Sequence, residues 1–374
     1  MKRIVIIENT FYTVLSLRME IIQYLQSKSL EVYVLSTGDA QDKQELESYQ
    51  VKVFDIGKLV SNPFSLLGFL YRIFKFLKEI KPEIVYTFTI RPNIFGSLVA
   101  GWMQIPTVSN ITGIGPLFEN QSFVYRVARG FYHFAMKKNQ RIFFQNQMDM
   151  NLFLNHNYCL PQQAKLLPGS GVDVEKFAPV AVEKTSNDFV FLMISRLIKD
   201  KGVLEYLEAS RKVKQKFPQA QFQLLGPFWT QNLKSNTITE ENVKGWVDEQ
   251  IINYLGYTYD VRPFIAASDC IVLPSYREGN ANVLMQGASM EKPLLASNVV
   301  GCNNLVVDGE TGFLFEVKNI EDLAKKMEKM LQLSLSERQT MGQKGRAFMK
   351  THYNKTVVLE AYEMEYERAL ASKE

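Results

Sequence analysis

The chain has 374 residues, 46% hydrophobic and 22% charged, with a formal net charge of +4, which is room for two α/β domains and the composition of a soluble globular protein. No apolar run approaches the roughly 18 to 20 residues of a membrane span, the longest lying around residues 64–71. Cys159, Cys270 and Cys302 lack the spacing of a zinc site or a disulfide framework, and His133, His156 and His352 give a histidine-based mechanism little to draw on.

In chain order, short β-like runs alternate with longer amphipathic ones. The opening MKRIVIIENTF has an apolar core from Ile4 to Ile7, too short for a signal peptide, and predicts a first strand over 3–7. A helix near 14–27, a strand over 31–36, a helix near 41–48 and a strand over 52–54 follow. Next come a helix near 65–80, a strand over 84–88, a helix near 94–103 and a strand over 107–110. Such alternation predicts a doubly wound parallel sheet with helices on both faces. The segment PGSGVDVEKFAPVAVEKTSND is rich in proline, glycine and charge, and puts an interdomain hinge near 179–188. Beyond it the alternation resumes: strand 189–194, helix 203–217, strand 220–225, strand or loop near 251–255, helix 261–267 and strand 270–274. A closing helix over 356–371 follows a break at 352–354. The expected domains are residues 1–179 and 180–355.

Charge is unevenly spread. Residues 1–179 hold 19 Lys and Arg against 14 Asp and Glu, while the remainder holds 24 against 25; within 58–141 the contrast sharpens to 11 against three. An anionic partner for the first half is expected. Residues 65–81 and 123–138 mix aromatics with cations at helical spacing, the pattern of helices lying in an anionic membrane interface. For the first of these, a core face with a solvated basic back is the favoured account; for the second, aromatics surround too much of the helix for one core face, and the interfacial role is favoured. No stacking signature accompanies the charge, so nucleic acid is not expected as a partner.

The run SRLIKDKG ends one strand and enters a helix, placing Arg196 and Lys201 at the carboxyl edge of a parallel strand, where open α/β sheets bind ligands. Two cations there can hold a diphosphate and stabilise it as a leaving group. The run DCIVLPSYREGNANVLMQGASMEKPLLAS adds an apolar strand, a turn with Glu278 and Gly279, and a helix opening on Asn280, Ala281 and Asn282. Backbone N–H groups at a helix start suit a phosphate, and a carboxylate beside them suits hydroxyls attached to that phosphate. Phosphate and polyol together suggest a nucleotide sugar.

These residues, with GCNNLVVDGETGFLF and the PGSGVDVEKFAP linker, resemble family 4 of the retaining glycosyltransferases. That family has the GT-B fold: two facing Rossmann-like α/β domains with a cleft between them. The resemblance covers most of the chain and is nearest to members extending polyprenyl-diphosphate-linked sugars, such as the N-acetylgalactosaminyltransferase acting on lipid-linked bacillosamine. It implies transfer of a hexose or N-acetylhexosamine from a UDP-sugar to a polyprenyl-diphosphate-linked saccharide. The setting would be bacterial surface glycan or glycoprotein glycan assembly, with the protein cytoplasmic and peripheral on the inner membrane.

Position by position, the resemblance implies Arg196 and Lys201 at the donor diphosphate and Glu278 at the sugar hydroxyls, these three forming the catalytic set. Amides from Gly279 through Asn280, Ala281 and Asn282 to Val283 would meet the phosphates, and Gly226 and Tyr257 would lie by the base. The closing helix, 356–374, would pack back on the first domain. Arg18 and Arg91 are the candidate acceptor contacts of that domain, joined by Thr112, Gly113 and Gly115 of the loop SNITGIG.

Two departures matter. Where the family has a second glutamate for the ribose hydroxyls, this chain has Gln286, which still accepts a hydrogen bond but without charge assistance. Where many relatives have histidine, it has Thr112, which cannot act as a base near neutral pH. No Asp-x-Asp occurs, so metal-independent catalysis without a cofactor is expected. The competing readings are a catalytically silent nucleotide-sugar-binding scaffold, raised by Gln286, and a UDP-sugar 2-epimerase of the same architecture.

Overall fold

The computed structural model describes residues 2–57, 63–113, 122–182, 188–229 and 237–372. It divides into two units, Met1–Ser170 with Thr356–Glu374, and Gly171–Lys355.

The first unit runs β1 (Arg3–Ile7), α1 (Phe11–Leu17), α2 (Met19–Ser27), β2 (Glu31–Ser36), α3 (Ala40–Ser48), β3 (Lys52–Asp55), α4 (Pro63–Ile80) and β4 (Ile84–Phe88). It continues through α5 (Ile90–Trp102), β5 (Thr107–Ile111), α6 (Phe123–Met136), β6 (Arg141–Phe144), α7 (Gln147–Asn155) and β7 (Ala164–Leu166). Its strands form one parallel sheet in the order β3-β2-β1-β4-β5-β6-β7. Strands covered on both faces must be apolar throughout, and all five residues of β4 are buried. The single helix expected over 14–27 is two, broken at Arg18, which is only 3% exposed and directs its guanidinium onto Glu8.

The second unit runs β8 (Val190–Ile194), α8 (Val203–Lys216), β9 (Gln221–Leu225), α9 (Glu240–Asp248), β10 (Asn253–Tyr254), α10 (Arg262–Ala267) and β11 (Cys270–Leu273). Then come α11 (Asn282–Ser289), β12 (Leu294–Ser297), β13 (Gly312–Phe315), α12 (Ile320–Gln332) and α13 (Leu335–His352). Its parallel sheet has the order β10-β9-β8-β11-β12-β13. α13 opens on a capping box in which Ser334 and Glu337 satisfy each other's backbone N–H groups.

The chain crosses between units at Ser170, earlier than the linker composition suggests. The Val172 N–H donates to Tyr353 O at 2.8 Å, the Lys355 N–H donates to Val172 O at 3.1 Å, and Val174 and Phe177 join the core of the second unit. The final helix, α14 (Lys355–Ala371), belongs to the first unit. Its Val358, Ala361, Tyr362 and Ala369 enter the core containing Ile4, Ile6, Tyr86 and Phe88. Tyr86 donates its hydroxyl to Tyr362 O at 2.7 Å, and Arg141 Nε donates to the buried Glu365 carboxylate at 2.9 Å.

Candidate functional site

β8 and β11 are parallel neighbours, so their carboxyl ends release adjacent loops. The loop after β8 carries Arg196 and Lys201 and closes on Gly202, whose φ of +74° is left-handed. A Cβ there would stand 2.1 Å from Pro274 O, so only glycine lets the two loops touch. The Tyr276 N–H donates to Asp200 O at 2.9 Å and fixes their register. The loop after β12 is seated the same way: Gly301, at φ +81°, would place a Cβ 2.4 Å from Glu278 O. Beside it, the Ala281 N–H donates to Gly301 O at 2.9 Å.

This lacing brings Lys201 Nζ to 2.5 Å from Glu278 Oε1, with the two side chains 16% and 15% exposed. Arg196, exposed on the same loop, holds its guanidinium 4.7 Å above the Trp229 ring. α11 starts from Ala281 without a side-chain cap, so the first-turn amides of Asn282 and Val283 have no carbonyl one turn back to satisfy them. Gln286, half-buried, follows one turn later on the face of Asn282. The Gly226 N–H donates to Gly256 O at 2.8 Å, which joins the loops after β9 and β10; Tyr257, 43% exposed, sets its ring against Tyr259.

Several residues at this edge escape sequence reading. Trp229 supports Arg196. Tyr276 donates to Glu205 Oε1 at 2.7 Å and lies 4.4 Å beneath Lys318, its phenol pushed up by burial and by that carboxylate. Cys302 is buried beside the ion pair; burial and Glu278 raise its thiol pKa while Lys201 opposes them. Asn304 reaches Asn280 from the loop after β12. Only the doubled asparagine of GCNNLVV hints at it in the sequence.

In the first unit, Arg18 and Arg91 both come to the carboxyl edge but differ in engagement. Arg18 Nε donates to Glu8 Oε2 at 2.9 Å, and its guanidinium lies 4.2 Å from the Phe88 ring centre. Thr89 also donates to Glu8, at 3.2 Å. Arg91 is exposed in the first turn of α5, whose N-cap Thr89 makes no side-chain capping bond. Thr112 and Gly113 follow β5, while Gly115 lies outside the described residues. Among the described residues, no group of three or more His, Cys, Asp or Glu is placed to hold a metal ion.

Two parallel α/β units with ligand-type loops at the strand carboxyl ends have the architecture of GT-B glycosyltransferases. Solved structures share it: a glycosyltransferase from Rickettsia africae matches with TM-score 0.80 at 19% identity, over 99% of this chain and 98% of that one. Anabaena HepE in complex with UDP and glucose matches with TM-score 0.78 at 17% identity, over 97% and 99%. The chain belongs to the group 1 glycosyl transferases, whose model matches residues 175–348, with a glycosyl transferase 4-like model over 3–146. It is 31% identical over 267 residues, 67% of each chain, to the UDP-Gal:alpha-D-GlcNAc-diphosphoundecaprenol alpha-1,3-galactosyltransferase of Escherichia coli. It is 24% identical over 380 residues to the N,N'-diacetylbacillosaminyl-diphospho-undecaprenol alpha-1,3-N-acetylgalactosaminyltransferase of Campylobacter jejuni, covering 94% of this chain and 95% of that protein. The protein is a glycosyltransferase.

Proposed function

We propose that this glycosyltransferase takes a hexose or N-acetylhexosamine from a UDP-sugar and transfers it, with retention of anomeric configuration, to a polyprenyl-diphosphate-linked saccharide in bacterial glycan assembly. The observation that carries this reading is the Lys201–Glu278 pair beside the uncapped start of α11, a cation and a hydroxyl acceptor next to open amides. The acceptor class is supported by the activities of the Campylobacter and Escherichia relatives, and the donor by the UDP bound to HepE.

In this reading Arg196 and Lys201 neutralise the diphosphate as the bond from the sugar C1 to its phosphate oxygen breaks. The Asn282 and Val283 amides hold phosphate oxygens, Glu278 accepts from sugar hydroxyls, and Gln286 accepts from the ribose. The acceptor hydroxyl oxygen forms the new bond to C1 on the departing face. Its proton passes to a phosphate oxygen of the leaving UDP, which spares Thr112 the role of base. Positive charge from side chains and the helix start takes the place of a metal. Arg91 and the amide of Gly113 serve the acceptor, while Arg18 is committed to Glu8.

Peripheral attachment to the cytoplasmic face of an anionic membrane completes the proposal. No described helix is long and apolar enough to cross a membrane. Support comes from the exposed Leu67, Tyr71, Trp102, Val127, Phe131 and Phe134 of α4, α5 and α6, helices that also carry Arg72, Lys75, Lys78, Arg91, Arg126 and Arg129.

The test is incubation of purified protein with UDP-sugars and a synthetic polyprenyl-diphosphate-linked saccharide, the product anomer being read by NMR. An α-linked product formed equally in EDTA is expected. UDP binding without turnover would favour the scaffold, a C2-epimerised UDP-sugar the epimerase, and a need for Mg²⁺ or Mn²⁺ would overturn metal independence.

A further inference from the structure

Three buried polar atoms have no hydrogen-bond partner among the described residues: Asn280 Nδ2 and Asn282 Oδ1 at the turn into α11, and Asn304 Oδ1 on the loop after β12. Their neighbours are ordered. Asn304 Nδ2 donates to Asn280 Oδ1 at 3.2 Å and to the Tyr353 hydroxyl at 3.2 Å, and that hydroxyl donates in turn to Asn304 O at 2.7 Å. A hydroxyl tied to a backbone carbonyl fixes which way the Asn304 amide faces, and the Asn304 amide fixes which way Asn280 faces. With its carbonyl oxygen taken, Asn280 is left with an N–H donor, two positions after Glu278, whose carboxylate only accepts.

A buried donor left unpaired is costly, so the arrangement is matched to something that brings an acceptor oxygen. We infer that Asn280 is a specificity-determining residue, its side-chain amide donating to a hydroxyl or acyl oxygen of the transferred sugar. Asn304 and Tyr353 are positioning residues: Asn304, held by Tyr353, engages its carbonyl oxygen and leaves its N–H group unclaimed. This rests on the reading of the loop after β11 as the sugar end of the donor site. Glu278 and Asn280 then form an acceptor–donor pair that reads neighbouring sugar oxygens in opposite senses, and stereochemistry at those carbons follows from the spacing.

Asn304→Asp tests the relay, because a carboxylate in place of the amide accepts where Asn304 donated and turns the Asn280 amide around, presenting its carbonyl instead. Calorimetric titration of wild type and variant with UDP, and with UDP-glucose, UDP-galactose and their N-acetyl derivatives, separates base and diphosphate binding from sugar binding. The new carboxylate also repels the diphosphate, so the readout is the ratio: affinity for the preferred UDP-sugar is expected to fall about tenfold more than affinity for UDP, the scale of one lost hydrogen bond. For that sugar KM should rise more than kcat falls. Tyr353→Phe, which deletes one hydroxyl, should shift the same ratio by a smaller factor, and it serves if Asn304→Asp fails to fold. Equal weakening of UDP and UDP-sugar, or no change in their ratio in either variant, overturns the inference. Failure of the wild type to bind UDP at all overturns the donor-site reading beneath it.

Discussion

Lys201 Nζ lies 2.5 Å from Glu278 Oε1, although 77 positions separate the two residues in the chain. The ion pair joins the loops of adjacent strands at the edge where the donor is proposed to bind. Each charge offsets the other, and a diphosphate bound there would compete with Glu278 for the ammonium.

Substituting either partner should therefore have opposite effects on nucleotide binding. Glu278→Ala removes the hydroxyl acceptor and frees Lys201, so transfer should fall at least about 100-fold while UDP binds as well as before or more tightly. Lys201→Met leaves Glu278 facing the diphosphate and should weaken UDP about tenfold or more. Steady-state kinetics with UDP titration checks both, and unchanged transfer by Glu278→Ala would refute its role.

Gln286→Glu restores a charge-assisted acceptor on the face of α11 proposed to meet the ribose. UDP affinity should rise about three- to tenfold, the increment from a neutral to a charged hydrogen bond. 2′-Deoxy-UDP should gain less if the contact is to that hydroxyl.

The glycine contacts between loops are expected to be intolerant. Gly202→Ala and Gly301→Ala each combine a left-handed backbone with a Cβ 2.1 or 2.4 Å from a carbonyl oxygen, and should each cost about 2 kcal/mol or more in urea unfolding and depress activity. Gly245→Ala, in α9 with nothing within 4 Å of the added atom, should instead stabilise by about 0.5–1 kcal/mol. Equal effects at all three positions would contradict the geometry.

All three thiols are buried, and burial is the first cause that raises their pKa values, that of Cys159 to about 11 from 9.0. The folded chain therefore keeps protons that the unfolded chain releases. The associated stability is fully present below about pH 9 and is lost as pH rises through the folded values. Denaturation midpoints should drop across pH 9–11, and a thiol reagent at pH 8 should label the native protein far more slowly than the urea-unfolded one.

Phe74 sets its ring against the exposed Trp102, and Lys138 lies over the exposed Phe134, which gives α4, α5 and α6 a surface of mixed aromatics and cations. Trp102→Ser with Phe134→Ser should reduce co-flotation with anionic liposomes at low salt, leaving turnover of a detergent-soluble acceptor near wild type. No co-flotation of the wild type would remove the membrane from the proposal.

Much of this protein is legible in its sequence because its causes are local. A parallel strand covered on both faces must be an apolar run, so β1, β4 and β11 announce themselves, and the alternation with helices implies the doubly wound sheets. Arg196, Lys201, Glu278 and the helix start after them are visible because a strand, a turn and a polar residue at its edge are contiguous. What the sequence could not settle lies where distant segments meet. The linker composition hid a unit boundary set by Val172 pairing with Tyr353, and the helical spacing around Arg18 hid a break whose cause is Glu8. The ion pair, the seat of Arg196 on Trp229 and the orientation of Asn280 by Asn304 depend on which loops the sheet order makes neighbours. Periodicity dictates which face of an element is buried, but only the assembled sheet brings a donor and an acceptor within the roughly 3 Å a hydrogen bond requires.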